Sequence, residues 1–287
     1  MPDANTENDA ASPIWRGMDR ATLDAAYNNL EAVPGSEEII GGWAERSLAV
    51  RDDPRARLDI PYGERERMKL DCFPASDSNS PLFAFIHGGY WKTREKESFA
   101  VFAEGPRAHG ISFASIGYTL APEARLRTIV EEIRQALTFL AGHADDLGFD
   151  PTRIFVGGWS AGGHLATMML DHPAIKGALS ISGLYELEPI ALCYVNEGLK
   201  LDDAEVADLS PLRHVNQGLA PIRLVAGADE LTGVRGQAED YAAAAEKAGM
   251  SVSFRLLDGH NHFTIMEELE SPSDAITQEL VALVEGR

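Results

Sequence analysis

Ser160 is the residue of this sequence whose surroundings best suit nucleophilic chemistry. It stands at the centre of GWSAG, residues 158–162, which matches the pattern G-x-S-x-G. The apolar run RIFVG precedes this turn and the helix-like run AGGHLATMML follows it. Such a turn is strained, exposes the hydroxyl and leaves the amide of Ala161 at a helix start. The pattern predicts a serine nucleophile with the Ala161 N–H as an oxyanion donor, rather than a plain glycine–serine turn with a helix cap.

A serine nucleophile needs a general base, and two histidines follow the last predicted strand. They are His260 and His262, in the run LDGHNHF. Where a serine lies in this kind of turn, the acid and then the histidine follow it along the chain. His262 is favoured because the apolar run FTIM after it can anchor the start of a helix. Spacing alone does not exclude His260.

The acid that orients the histidine is expected after the apolar run IRLVA. Asp229 and Glu230 are adjacent there, just beyond Gly227. The acid usually stands three residues after the glycine. This position selects Glu230, and Asp229 is the alternative. The chosen carboxylate would hold the imidazole and stabilise its charged form.

Two glycines, Gly88 and Gly89, follow the apolar run LFAFI where a strand should end. With Ser160 as nucleophile, we interpret them as backbone N–H donors that complete an oxyanion hole with Ala161. A phosphate site is not favoured, because neither G-x-G-x-x-G nor a Walker lysine is present. No H-E-x-x-H or comparable ligand pair stands near His87, so we expect no metal and a His87 that hydrogen-bonds within its loop.

Apolar runs alternate with helix-like segments along most of the chain. Strands are predicted at residues 45–50, 68–73, 82–86, 111–118, 153–157, 177–182, 222–226 and 251–257. Helices are predicted at 18–30, 98–109, 128–143, 161–170, 188–194, 236–249 and from about 273, with a loop at 33–42. This alternation predicts an α/β fold with a mostly parallel central sheet and helices on both faces. Ligands gather at the carboxyl ends of such strands, where the long segment 184–216 is a candidate lid.

Composition limits the class of protein. The chain has 287 residues, 45% of them hydrophobic, and we expect a disordered N-terminus at 1–13 and one domain at 14–287. With 25 Lys and Arg against 45 Asp and Glu, the formal charge is -20, so nucleic acid and anionic membranes are poor partners. The 2 cysteines form no CxxC pattern, and no apolar run is long enough to span a bilayer. We expect a cytoplasmic protein.

Several motifs together resemble one known group of enzymes. They are MDRATLDAAYNN, HGGYW, YTLAPEARLRTIVEEIRQAL, GWSAGGHLA, SGLYELEPI, VNEGL, LSPL, GADE and NHFTI. Because these motifs run through most of the chain, the sequence is similar to the arylformamidases, the kynurenine formamidase-like members of the α/β-hydrolase superfamily. The resemblance implies an α/β-hydrolase fold, with His262 of the His-Phe pair and Glu230 as partners of Ser160. The sequence departs from the group at Trp159, where a histidine is usual, and at residues 233–234, where Glu-Phe is frequent.

The resemblance also implies an activity. It is that of a serine hydrolase without a cofactor, which cleaves the amide bond of N-acylated aromatic amines of the N-formylkynurenine or N-acylanthranilate type. A carboxylesterase for small or aryl esters is the alternative within the class, and a non-catalytic ligand-binding scaffold is the alternative outside it. The expected partner is a small aromatic amide, and a homodimer stays open.

Four aromatic residues near these motifs are candidates for an aryl-binding wall, since flat rings bury large apolar areas. They are Tyr90, Trp91, Trp159 and Tyr185. The alternative for each is a place in the core. A substrate carboxylate would need a cation or amide donors, and Lys92 and Arg125 are candidates because they lie near the motifs.

Overall fold

The computed structural model describes residues 12–287, which are built around one sheet. The strands are β1 (Arg57–Pro61), β2 (Lys69–Phe73), β3 (Leu82–Ile86), β4 (Ser112–Ile116), β5 (Ile154–Trp159), β6 (Ile175–Ile181), β7 (Ile222–Gly227) and β8 (Val252–Leu257). Their order is β1-β2-β4-β3-β5-β6-β7-β8. The β1–β2 and β2–β4 pairs are antiparallel. The remaining neighbours in this order, β4–β3, β3–β5, β5–β6, β6–β7 and β7–β8, are parallel. The predicted mostly parallel sheet is confirmed.

Helices cover both faces of this sheet, as predicted. The α-helices are α1 (Arg20–Tyr27), α2 (Asn29–Ala32), α3 (Ser36–Arg51), α4 (Glu104–Ala108), α5 (Leu126–Gly142), α6 (Ala144–Leu147), α7 (Ala161–Thr167), α8 (Glu188–Leu192), α9 (Asn196–Leu199), α10 (Asp203–Leu209), α11 (Thr232–Lys247) and α12 (Ala275–Val284). In the described part of the chain, 3-10 helices occupy Lys96–Ala103, Pro211–His214 and Thr264–Leu269.

Successive side chains of β3 point to opposite faces of the sheet, and a hydrophobic core lies on each face. Leu82, Ala84 and Ile86 point to the core that contains residues of α1, α5, α7 and α11. Phe83 and Phe85 point to the opposite core, with residues of α3 and α12. All five side chains are buried, so β3 is a continuous apolar run of the kind typical of a central parallel strand.

Two predictions before residue 60 are wrong. Helix α3 replaces most of the predicted loop at 33–42 and the whole of the predicted strand at 45–50. Ile40, Trp43, Ser47 and Val50 are buried at spacings of three and four residues, which is the period of a helix. Strand β1 was not predicted, because its largely exposed edge sequence RLDIP contains no apolar run.

The segment 184–216 connects β6 to β7 and contains α8, α9, α10 and the 3-10 helix Pro211–His214. Its role as a lid stays a prediction. The predicted disordered stretch 1–13 lies outside the described residues except for its last two. Between residues 12 and 287, no helix is both long and apolar enough to cross a membrane. The same residues contain no group of three or more His, Cys, Asp or Glu side chains placed to hold a metal ion.

Candidate active site

Ser160 lies in the sharp turn between β5 and α7. Its φ of 57° is positive, which is strained for a residue with a side chain. Its amide donates a 2.8 Å hydrogen bond to the carbonyl of Ile181, at the end of the neighbouring strand β6. A Cβ on Gly162 would overlap the carbonyl oxygen of Ile86, so glycine is required for the first turn of α7 to pack against β3. The turn thus fixes the serine at the carboxyl end of β5.

A hydrogen-bonded chain joins Ser160, His262 and Glu230. The Nε2 atom of His262 lies 3.0 Å from Ser160 Oγ, and its Nδ1 atom lies 2.8 Å from Glu230 Oε2. A carboxylate only accepts, so Nδ1 carries the imidazole proton and Nε2 is free to accept the serine proton. All three residues are buried, with exposed fractions of 4%, 4% and 6%. The three side chains leave the carboxyl ends of β5, β7 and β8, where the sequence pattern predicted them.

Two donors besides His262 hold the Glu230 carboxylate. Its Oε1 accepts from the hydroxyl of Ser182 at 2.5 Å and from the amide of Gly227 at 2.7 Å. Sequence reasoning missed Ser182, which follows β6 with a positive φ of 51°. The alternative acid, Asp229, is exposed, and among residues 12–287 the ion-pair partner of His262 is Glu230. The structure therefore brings Glu230, and not Asp229, to the histidine.

His260 lies outside this chain of hydrogen bonds. Its Nε2 is 3.3 Å from Glu268 Oε1, and its Nδ1 is 3.3 Å from the carbonyl of Thr264. The side chain is partly exposed. Of the two histidines, the structure brings only His262 to Ser160.

The amides of Gly88, Gly89 and Ala161 are the predicted oxyanion donors. Within residues 12–287, none of these three N–H groups donates a backbone hydrogen bond. Gly89 has a φ of +107°, and a Cβ there would overlap the carbonyl oxygen of Thr93. A Cβ on Gly88 would lie 2.6 Å from Trp159 Cε3. Both glycines are therefore required by close packing in this loop.

The His87 side chain stabilises the glycine loop, which contains Gly88 and Gly89. Its Nδ1 lies 2.8 Å from the carbonyl of Gly88, and its ring stacks on Tyr118 with centroids 4.3 Å apart. Burial lowers the pKa of His87 to about 4, so the ring is neutral at physiological pH. The expected hydrogen bond within the loop is present.

A cavity of about 190 Å³ opens beside Ser160. Two of the four predicted aromatic residues, Tyr90 and Trp159, line it. The other lining residues are Asn29, Leu30, Gly89, Lys92, Thr93, Arg94, Ser160, Tyr194, His262 and Phe263. Sequence reasoning missed Asn29 and Tyr194, because only the packing of α2 and of segment 184–216 against the glycine loop brings them here.

Trp91 and Tyr185 do not line this cavity, which corrects their assignment. Both are fully buried in the core. Trp91 packs edge-on against His164, with ring centroids 5.0 Å apart. Tyr185 stacks on Tyr241 and shares a 2.8 Å hydrogen bond with Ser180. Their rings stabilise the scaffold and contribute no surface to the cavity.

Comparison with known proteins assigns the family. The chain is 30% identical to kynurenine formamidase of Danio rerio over 94% of this chain and 98% of that protein. It is 32% identical to kynurenine formamidase of Salmo salar, again over 94% and 98%. The chain belongs to the kynurenine formamidase family. Residues 70–173 also match the BD-FAE family model.

Solved structures place this kynurenine formamidase family member among the α/β-hydrolases. A thioesterase candidate from a Silicibacter species superposes with a TM-score of 0.83 at 31% identity, over 91% of this chain and 99% of that one. Esterase B of Lactobacillus rhamnosis shares the fold, with a TM-score of 0.71 at 18% identity over 87% and 95%. The chain is therefore an α/β-hydrolase, as its motifs predicted.

The two departures from the kynurenine formamidase pattern have visible packing consequences. Trp159 donates a 2.8 Å hydrogen bond from Nε1 to the carbonyl of His262. Gly233, in α11, lies so close to α1 that a Cβ would stand 2.5 Å from the carbonyl oxygen of Ala26. A glutamate at this position would push the two helices apart.

The two candidate cations for a substrate carboxylate differ in position. Arg125 does not line the cavity and forms ion pairs with Asp202 and Glu205. Lys92 lines the cavity. The structure thus leaves Lys92 as the only one of the two that is near Ser160.

Proposed function

We propose that the protein is a serine amidase that hydrolyses N-acylated aromatic amines, with N-formylkynurenine as the model substrate. The observation that carries the proposal is the buried chain Ser160–His262–Glu230, with spacings of 3.0 and 2.8 Å, on the wall of a cavity. Membership of the kynurenine formamidase family supports the choice of an aryl formamide.

Ser160 Oγ attacks the acyl carbon while His262 Nε2 takes the serine proton. The negative charge that develops on the carbonyl oxygen accepts hydrogen bonds from the amides of Gly88, Gly89 and Ala161. Glu230 stabilises the imidazolium without being protonated itself. His262 then gives its proton to the amine nitrogen, the C–N bond breaks, and the arylamine leaves an ester on Ser160.

Water completes the cycle. His262 takes a proton from the water molecule, whose oxygen attacks the ester carbon. The same amides stabilise the second oxyanion, and the serine oxygen leaves with the proton held by His262. The products are the arylamine and a carboxylic acid, and no step uses a metal or an organic cofactor.

The size of the cavity favours a short acyl group. Its volume of about 190 Å³ lies below the range of about 300–1,000 Å³ usual for small-molecule sites. An aryl ring with a formyl group fits such a space better than an aryl ring with a fatty acyl chain. Trp159 and Tyr90 supply flat apolar surface for the ring.

Arylamine release tests this proposal. N-formylkynurenine is compared with N-formyl, N-acetyl and N-octanoyl anthranilate by absorbance, with Ser160→Ala as blank. We expect serine-dependent release that is fastest from the formyl substrates. Preference for the octanoyl substrate would contradict the short acyl group, and silence on all four with turnover of aryl esters would contradict the amidase.

A further inference from the structure

Lys92 is a cation on the wall of the cavity. Its Nζ donates a 3.1 Å hydrogen bond to the carbonyl of Val195. Among residues 12–287, no carboxylate oxygen lies within the 4.0 Å of an ion pair from it. Arg94 lines the same cavity but pairs with Glu37 at 3.0 Å. In a chain with a formal charge of -20, an unpaired ammonium at this place is unusual.

The surroundings make this unpaired charge costly. The Lys92 side chain is half-buried, and burial lowers its pKa. Its stem lies against Gly198, where a Cβ would stand 2.7 Å from Lys92 Cδ. Partial loss of hydration penalises a charge unless another group replaces the lost water. One carbonyl engages one of the three ammonium protons, which leaves two donors for a ligand.

Asn29 is a second polar residue of the cavity wall, and one atom of its side chain is unmatched. It is 4% exposed, and its Oδ1 is buried without a hydrogen-bond partner among the described residues. Its Nδ2 lies 3.4 Å from the hydroxyl of Tyr90, which donates its own proton to the carbonyl of Tyr27 at 2.6 Å. Exchanging the amide oxygen and nitrogen would therefore not supply a donor to the oxygen. A buried acceptor of this kind requires a donor from a ligand or water.

We propose, building on the proposed function, that this cavity selects anionic substrates. The ammonium of Lys92 binds a carboxylate on the aryl or amino-acid part of the substrate, and Asn29 Oδ1 accepts a hydrogen bond from a substrate N–H. Lys92 and Asn29 thereby give the site its preference for an anionic N-acyl arylamine over neutral anilides and esters.

A matched substrate pair tests the role of Lys92. N-formylanthranilate and N-formylanthranilamide carry the same scissile bond but differ in charge. Lys92→Met should raise the KM for the anionic substrate by about 10- to 100-fold, the usual range for a lost charged hydrogen bond. The KM for the neutral substrate should stay within about twofold. Lys92→Arg should retain most of the preference, and the exposed Lys176→Met controls for net charge.

The result that would overturn this role is an equal loss on both substrates. Lys92 also ties the glycine loop to segment 184–216 through Val195, and a purely structural tie would affect the two substrates alike. A wild-type protein without preference for the anionic substrate would overturn the proposal as well.

A second variant tests Asn29. Asn29→Leu keeps the branched shape of the side chain, with larger methyl groups, and lacks the acceptor. It should lower kcat/KM for both formamides by about 5-fold or more, the effect of one lost hydrogen bond to a buried group. The rate at which an organophosphonate without N–H groups labels Ser160 should not change. Equal slowing of labelling and turnover would show general damage to the site and overturn the role of Asn29.

A failure of the amidase proposal can be distinguished from a failure of carboxylate binding at Lys92, which is called the anion site. If neither formamide is hydrolysed, protection of Ser160 from organophosphonate labelling is measured with anthranilate and with anthranilamide. Protection by anthranilate alone, lost in Lys92→Met, would support the anion site although the amidase proposal fails. Protection by neither, or by both equally, would overturn the anion site.

Discussion

The indole Nε1 of Trp159 donates a 2.8 Å hydrogen bond to the backbone carbonyl of His262, and the two rings lie with centroids 5.1 Å apart. The residue before Ser160 thus holds His262, the proposed base. The position of His262 relative to Ser160 depends on this contact as well as on Glu230.

Trp159→Phe keeps an aromatic ring and removes the hydrogen bond to the His262 carbonyl. We expect kcat on N-formylkynurenine to fall by about 3- to 10-fold, in line with the loss of one neutral hydrogen bond. Steady-state kinetics with a melting curve as stability control measures this. An unchanged kcat would contradict a positioning role for Trp159.

The two histidines after β8 should differ sharply in importance. His262→Ala removes the proposed base and should lower kcat by about 10⁴-fold or more. His260→Ala loses only the contacts to Glu268 and Thr264 and should retain most of the activity. The measurement is kcat for both variants on one substrate. An inactive His260→Ala with intact melting would reverse the assignment.

The adjacent carboxylates of Glu230 and Asp229 should also differ sharply in their importance for kcat. Glu230→Gln places an amide against His262 Nδ1 and favours the wrong tautomer, so kcat should fall by about 10³- to 10⁴-fold. The exposed Asp229→Asn should stay within about threefold of the wild type. Comparable losses in both variants would mean that Asp229 contributes to the site in a way that its geometry does not indicate.

Gly89→Ala tests the oxyanion loop. The added Cβ is strained at a φ of +107° and overlaps the Thr93 carbonyl, so the amide must move. Loss of one oxyanion donor costs about 10²- to 10³-fold in kcat. The control is Gly236→Ala in α11, where a Cβ meets nothing within 4 Å and helix propensity should raise stability by up to about 1 kcal/mol. Full activity in Gly89→Ala would exclude its amide from transition-state binding.

His164 predicts a pH dependence of stability. Burial lowers its pKa from 6.5 to about 4, and Nε2 hydrogen-bonds to the carbonyl of Leu209 at 2.8 Å. Because the folded-state pKa is depressed, the unfolded chain binds more protons between pH 6.5 and 4. The free energy of unfolding therefore falls as pH falls through this window, by about 1.4 kcal/mol per pH unit for this histidine.

His164→Gln should reduce that slope by a similar amount, because its side chain does not titrate. Urea unfolding at pH 7, 6, 5 and 4.5 measures it. A variant with the wild-type slope would show that His164 does not contribute to the acid sensitivity.

The site was predictable where chemistry is encoded in a local motif. Ser160, the two glycines and the end-of-strand positions of Glu230 and His262 follow from short sequence patterns at strand ends. The aromatic wall was not predictable in the same way. Tyr90 and Trp91 both have positive φ values, of 50° and 57°. The side chain of Trp91 lies in the core because of this backbone turn.

Other parts of the site depend on long-range packing. Tyr194 reaches the cavity because its amide donates to Asp24 in α1, a contact across 170 positions of the chain. Asn29 lies there because α2 packs against the glycine loop through Tyr90. Likewise, the buried residues of α3 have the spacing of a helix, but Ser36 and Ser47 among them are polar, so the apolar period is weak in the sequence. Sequence periodicity does not encode such contacts.

We propose that Ser160 performs the hydrolysis of an aryl formamide. The most direct measurement is a titration with an organophosphonate, in which label on Ser160 is mapped by mass spectrometry and residual N-formylkynurenine hydrolysis is followed in the same samples. We expect activity to fall in a straight line and to reach zero at one label per chain. Activity that persists in fully labelled protein, or a Ser160 that takes up no label, would contradict the account.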